Sequence, residues 1–242
     1  MSGHSHWAGI KHKKGLADIK RGMIFSKFAR MISVAAKEGG DSTTNSKLRI
    51  AIEKAREINM PSENIERAIK RGTGELEGGK LEEFIFEAFG PGKVAIIIEG
   101  ITDNKNRALS EVKQILNQNG GKLAASGSVQ WLFERKGVVT ISIEQNQEKL
   151  TKESLELKAI EAGADDIFWH DDILDVYTTV ETLETVKNNL SALGISIESA
   201  SLDWVPKETI DIGEKEKKDC QKLFEALDEN EDVQEIYSNF PS

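Results

Sequence analysis

The apolar positions of this chain change period part-way along it. From Leu16 to about Lys37 they recur at helical spacing, and Phe25, Phe28, Ala29, Ile32, Ala35 and Ala36 share one face. Lys20, Lys27, Arg30 and Lys37 fall on another stripe, so this predicted helix reads as apolar on one side and basic on the other. Gly22 is a candidate kink and Gly39-Gly40 the stop. After the polar loop 41–44, a second helix runs from about Ser46 to Asn59, with Leu48, Ile52, Ala55 and Ile58 inward. Pro61 forces a break, and Ser62 can cap a short third helix that turns Ile65, Ala68 and Ile69 inward and ends at Gly72. Three such helices make a small bundle over 1–75. Thr73 to Lys80, with three glycines, reads as a linker.

From Glu83 the period is two. Phe84, Phe86 and Ala88 alternate with Ile85, Glu87 and Phe89, and Gly90-Pro91-Gly92 turns the chain. Lys93 to Ile101 is a strand apolar enough to be buried on both faces. A helix from Asn104 to Asn119 and a strand from Val129 to Phe133 follow. Residues 138–205 then read strand, helix, hairpin, helix, strand, which is the order of a ferredoxin-like unit. The tail adds a helix, about Glu214 to Leu227, and a strand, Val233 to Tyr237. These supply what the piece 82–134 lacks. The expected fold class is α+β: a three-helix domain, then two ferredoxin-like α/β domains, with 138–205 inserted into one made of 82–134 plus 206–242.

Charge sharpens this picture. The 242 residues carry a formal net charge of −9. Residues 1–75 hold 15 Lys+Arg against 8 Asp+Glu, while the other 167 hold 17 against 33. A basic head on an acidic body points to a polyanion partner for the head. Lys and Arg neutralise phosphates and release counterions, and Trp7 beside them can stack on an unpaired base. The candidate nucleic-acid-binding residues are His4, His6, Trp7, Lys11, His12, Lys13, Lys14, Lys20, Arg21, Lys27 and Arg30, with Lys105 and Arg107 at a strand-to-helix turn as a second site. Asp103 or Asn104 at that turn can equally serve as a plain helix cap. Protonation of the histidines on mild acidification would add positive charge and strengthen binding.

Other chemistry finds little support. His4, His6 and His12 lack a fourth ligand at zinc spacing. Asp165, Asp166, Asp171, Asp172 and Asp175 cluster around a hairpin and read as solubilising turns before they read as a cation or catalytic site. Cys220 stands alone, which excludes an intramolecular disulfide and fits a reducing compartment. No phosphate-loop or nucleophile-elbow motif is present, so no enzyme activity, small-molecule substrate, cofactor or metal is expected. No apolar run reaches the length of a membrane span, and no signal peptide opens the chain, so the expected location is the cytoplasm.

Several motifs together resemble the YebC/PmpR family, which includes mitochondrial translational activators of cytochrome oxidase. They are Gly3-His4-Ser5-His6-Trp7, Ile10-Lys11-His12-Lys13, Asp18-Ile19-Lys20-Arg21-Gly22, Asn59-Met60-Pro61, the run from Asn64 to Gly74, the run from Thr102 to Arg107, and the run from Gly127 to Phe133. His6 and Met23 stand where that family usually has lysine, which weakens the local positive charge. The resemblance implies three domains and no enzyme activity or cofactor. It also implies a DNA-binding transcriptional regulator, or alternatively a ribosome-associated translation factor that binds ribosomal RNA and eases synthesis of proline-rich stretches. A protein-interaction scaffold that works through the acidic body is the third reading.

Overall fold

The computed structural model of the chain describes residues 18–77, 79–146 and 151–240. They fall into two compact units, 18–129 with 212–236 and 130–211 with 237–240.

The first unit opens with helices α1 (Asp18–Ala35), α2 (Ser46–Glu57) and α3 (Ser62–Thr73). Ile32, Leu48, Ile52, Ala55, Met60, Ile65 and Ala68 form their shared core. Asn45 joins two helix ends. Its side-chain oxygen accepts from Leu48 N at 3.0 Å to cap α2, while its amide donates to the carbonyls of Ala35, the last residue of α1, and Gly39 at 2.7 and 2.8 Å. The start of α3 departs from expectation. Pro61, not Ser62, holds the cap position, and Ser62 is the first helical residue. Pro61 already sits at extended ψ and its carbonyl accepts from Asn64 and Ile65, so the serine hydroxyl is not needed there. The helix also runs past Gly72 and stops at Gly74, whose φ of +84° is the left-handed cap. Gly72 has another reason to be glycine. A Cβ there would lie 2.3 Å from the Ser33 carbonyl oxygen and 2.7 Å from the Ala36 Cβ, so α1 and α3 meet backbone to backbone. Ser33 Oγ donates to Ala68 O across the same crossing at 2.8 Å.

The rest of this unit is a four-stranded sheet of order β3-β1-β2-β8. Its strands are β1 (Glu82–Phe89), β2 (Ala95–Thr102), β3 (Lys122–Leu123) and β8 (Val233–Ser238). β1 pairs antiparallel with both β2 and β3. Helix α4 (Lys105–Gln118) crosses from β2 to β3, making a split βαβ with β1 in its gap. Ala95 to Ile98 are buried without a break, as a central strand covered on both faces requires. Helix α7 (Glu214–Asp228) leads into β8. Its Cys220 is fully buried and donates to Pro91 O, and burial pushes the thiol up to about 11, an inert environment.

The second unit has strand order β5-β6-β4-β7, with every neighbouring pair antiparallel. In chain order it runs β4 (Phe133–Ser142), α5 (Lys152–Ala162), β5 (Asp166–His170), β6 (Ile173–Thr178), α6 (Leu183–Ala192) and β7 (Ser199–Pro206). This is the ferredoxin-like unit. Val139, Ile141, Leu155, Leu174, Val176 and Leu190 are fully buried in its core, and each such side chain contributes about 1.5–3 kcal/mol on leaving water.

Two strand assignments change. Val129 to Phe133 is not a strand: Gln130–Leu132 is a single helical turn, and β4 runs unbroken from Phe133 through Gly137 to Ser142. Gly137 lies inside this strand although glycine weakens strands. It is there because a Cβ would come within 2.2 Å of Thr178 Oγ1 and 2.8 Å of Leu183 Cβ. The fourth strand of the first sheet is instead the two-residue β3, too short to show an alternating pattern.

Candidate nucleic-acid interface

Two cations of the basic stripe of α1, Lys27 and Arg30, are turned into their own unit. Lys27 is 3% exposed and its Nζ meets Asp228 Oδ1 at 2.7 Å. Arg30 donates from Nη1 to Asp232 Oδ1 at 2.5 Å and from Nη2 to Glu231 Oε2 at 3.2 Å. Lys37 donates to the carbonyl of Leu81. Lys27 and Arg30, expected from the sequence to contact a polyanion, are engaged by carboxylates of their own unit. Helical periodicity locates a stripe but not what it meets, and here carboxylates from the C-terminal segment meet it. Arg21 is exposed in the first turns of α1. His4, His6, Trp7, Lys11, His12, Lys13 and Lys14 lie outside the described residues, as does the side chain of Lys20.

The strand-to-helix turn at 102–107 belongs to the same network. Asn104 caps α4 by accepting from Arg107 N at 3.1 Å. The side chain of Arg107 donates to Asp232 Oδ2 at 2.9 Å and also meets Asp103 and Glu111. Those carboxylates raise the guanidinium above its ordinary range, Asp232 most. Asp232 itself is 3% exposed and also accepts from Thr102 Oγ1 at 2.9 Å. Arg107 is thus engaged by anions of its own unit, whereas Lys105 is exposed at the start of α4.

One cluster of outward cations lies at the end of the bundle. Arg67, Lys70 and Arg71 of α3 and Lys80 of the linker are all exposed. Arg71 and Lys80 line a cleft of about 440 Å³ beside α1 and the end of α3, and its lining also includes Lys37 and Glu77. Three cations against one carboxylate suit an anion. Sequence reading passed over Arg67, Arg71 and Lys80 although they lie in or beside the run Asn64 to Gly74. The usable signal for Arg67 and Arg71 was a place on the third helix away from its buried Ile65; Lys80, in the linker, offered none.

In the second unit the acidic hairpin separates into two kinds of residue. Asp165, Asp166, Asp171 and Asp172 are exposed at strand ends, whereas Asp175 is fully buried in β6. Thr140 Oγ1 donates to Asp175 Oδ1 at 3.0 Å, and His170 Nε2 lies 3.2 Å from Oδ2. Burial pushes Asp175 up to about 7 and His170 down to about 4, so near neutrality the imidazole is uncharged and the close approach is not an ion pair of two full charges. Among the described residues no group of three or more His, Cys, Asp or Glu is placed to hold a metal ion, and no helix is long and apolar enough to cross a membrane.

Comparison with known proteins covers almost the whole chain. A family model described as the TACO1/YebC protein N-terminal domain matches residues 5–75. A second, described as the TACO1/YebC second and third domain, matches residues 81–240. A curated protein of Persephonella marina is 50% identical over 243 residues, covering 99% of this chain and 96% of its own. One from Halothermothrix orenii is 48% identical over 242 residues, covering 99% and 95%. Both are named "Probable transcriptional regulatory protein". The crystal structure of a conserved hypothetical protein from Aquifex aeolicus superposes with a TM-score of 0.86 at 46% identity, over 98% of this chain and 97% of the other.

Proposed function

The chain belongs to the TACO1/YebC family, and from that membership we propose that it is a non-enzymatic, nucleic-acid-binding regulator of gene expression working in the cytoplasm. The observation that carries this reading is the segregation of charge. The head holds 15 cations against 8 anions while the remainder is strongly acidic. Within the described head, Arg67, Lys70 and Arg71 face outward beside Lys80. The acidic body repels polyanions, so it confines binding to the head and sets its orientation. The names of the relatives supply the regulatory half of the proposal.

A second reading, binding to ribosomal RNA in translation, draws on one feature of α3. Its outer face interleaves Glu63 and Glu66 with Arg67 and Lys70. Those carboxylates oppose deep entry into a DNA major groove, where a recognition helix reads bases. A phosphate-tracking surface of mixed character suits an irregular RNA better.

One experiment separates the readings. Lysate is sedimented through a sucrose gradient at low and moderate salt, with the wild type compared to a variant in which Lys11, Lys13, Lys14, Lys20 and Arg21 are alanine. Co-sedimentation of the wild type with ribosomal particles, lost with salt and absent in the variant, is the result expected of RNA binding. Wild type at the top of the gradient at both salts, with protection of a promoter fragment in footprinting, is the result expected of a DNA regulator. Failure of both overturns the proposal.

A further inference from the structure

The outer face of α5 is apolar where a helix at the surface of an α/β layer is usually polar. Leu155, Ala159 and Ala162 are buried against the sheet. Leu157 and Ile160, on the opposite side of the same helix, are 69% and 63% exposed. At i and i+3 these two side chains adjoin and form one patch. A helix apolar on both sides is normally covered on both.

The charges around the patch indicate what covers it. Glu153 and Glu161 bracket Leu157 at i−4 and i+4 on the same exposed face. The cations of α5 are turned back onto their own unit. Lys152 Nζ donates to Asp171 O at 2.5 Å and stands 4.9 Å from the Trp169 ring centroid, and Lys158 Nζ donates to Leu193 O at 2.9 Å. Glu156 is also engaged, accepting from Trp169 Nε1 at 2.7 Å. What α5 presents outward is therefore two aliphatic side chains between two carboxylates, on a domain (138–205) that holds 14 Asp+Glu against 4 Lys+Arg.

We propose that this face docks a basic amphipathic helix of a partner protein, its apolar side on Leu157 and Ile160 and its Lys or Arg side chains on Glu153 and Glu161. A second copy of this chain is a poor occupant. An antiparallel pair of α5 helices would set Glu153 against Glu161, and a parallel pair would set each against itself, like charge on like in both cases. Nucleic acid is repelled by the same carboxylates. This is a protein-binding surface distinct from the basic head, and it stands whether the head binds DNA or RNA.

The test uses the full chain and a synthetic helical peptide with leucines at i, i+3 and i+7 flanked by lysines. A scrambled peptide and one with glutamate in place of lysine serve as comparisons. Binding is followed by calorimetry and by amide chemical shifts. The lysine peptide is expected to bind and to shift the resonances of α5. Leu157→Gln with Ile160→Gln is expected to weaken it about tenfold or more, as for residues central to an interface. Glu153→Gln with Glu161→Gln is expected to weaken it and flatten its salt dependence. The four replaced residues are exposed, so unchanged thermal unfolding confirms that the variants fold. Equal binding of the scrambled peptide, or undiminished binding to the glutamine variants, overturns the proposal. So does wild-type dimerisation that the Leu157/Ile160 variant abolishes, or a shift of α5 resonances on titration with RNA.

Discussion

Lys27 Nζ lies 2.7 Å from the Oδ1 of Asp228 and 2.7 Å from the same residue's main-chain carbonyl, 201 positions further along the chain. Asp228 is the last residue of α7, so that carbonyl is one a helix end leaves without an intrahelical donor. A cation of α1 thus neutralises a carboxylate and closes a helix end at once. The lysine side chain is 4% exposed and the aspartate 24%. Lys27→Met keeps the apolar stem and removes the charge. It is expected to lower unfolding free energy by about 3 kcal/mol, the low end for breaking a buried pair because Asp228 keeps some water. Urea unfolding measures this. At a temperature where the variant is folded its affinity for RNA or DNA should equal the wild type's. Reduced affinity with intact stability would return Lys27 to the interface.

That pair also shows where sequence reading stops. The bundle, the hairpin β1–β2, α4 with its Asn104 cap and the ferredoxin-like order of 138–205 were legible because each depends on local period and turn chemistry. The basic stripe of α1 was legible as a stripe. Its partners were not, since Asp228, Glu231 and Asp232 are remote in sequence and nothing local distinguishes a lysine aimed at phosphate from one aimed at a buried carboxylate. The helix end read at Gly72 and the strand break read between 133 and 138 failed for a related reason, since Gly72 and Gly137 are both glycine for the sake of distant neighbours. Each is required by a neighbour that only the fold brings near, Thr178 in one case and Ser33 in the other. Leu157 and Ile160 were visible as letters, but their exposure was not.

Glu87 is a buried carboxylate used as a clamp. Its two oxygens accept from Gly127 N and Val129 N, each at 2.5 Å, and so hold the small-residue loop 124–129 against β1. Glu87→Gln sets an amide donor against one of those N–H groups. The expected cost is about 2 kcal/mol, with faster hydrogen exchange at Gly127 and Val129 than at neighbouring sheet amides. Unchanged exchange at those two amides would show that the loop is held by something else.

The Asp175–His170 pair sets two opposing pH slopes. Burial is the main cause for both residues. Thr140 pulls Asp175 down while Asp203 and Glu198 push it up, and Asp171 pushes His170 up. Unfolded, the aspartate ionises near 4 and the histidine near 6.5. From about pH 4 to 7 the folded chain keeps a proton on Asp175 that the unfolded chain has released, so this group's contribution falls as pH rises. From about pH 4 to 6.5 the unfolded chain holds a proton that folded His170 lacks, so that contribution grows as pH rises. Together they nearly cancel up to about pH 6.5. Asp175→Asn leaves the histidine, and its stability relative to wild type should fall on acidification from pH 6.5 to 4. His170→Gln leaves the aspartate, and its relative stability should fall as pH rises from 4 to 7. Urea midpoints at four pH values between 4.5 and 7.5 measure both. Slopes of the same sign in the two variants would contradict the assignment.

The outward cations give a measure of the interface that stability cannot mimic. Removing one cation that neutralises a phosphate lowers the slope of log K against log salt by roughly 0.7 on a single strand and 0.9 on duplex DNA. If Arg67, Lys70, Arg71 and Lys80 each meet a phosphate, replacing all four with alanine lowers the slope by about 3 on single-stranded RNA, together with a drop in affinity at every salt. All four are exposed, so unfolding free energy should change by no more than about 0.5 kcal/mol per site. Lys47→Ala is the control. That lysine is equally exposed but paired with Glu38 at 2.6 Å across the bundle surface, and its removal should leave the slope unchanged. A slope unmoved by the fourfold variant would confine nucleic-acid binding to the N-terminal segment and leave the cleft beside Arg71 with no part in it.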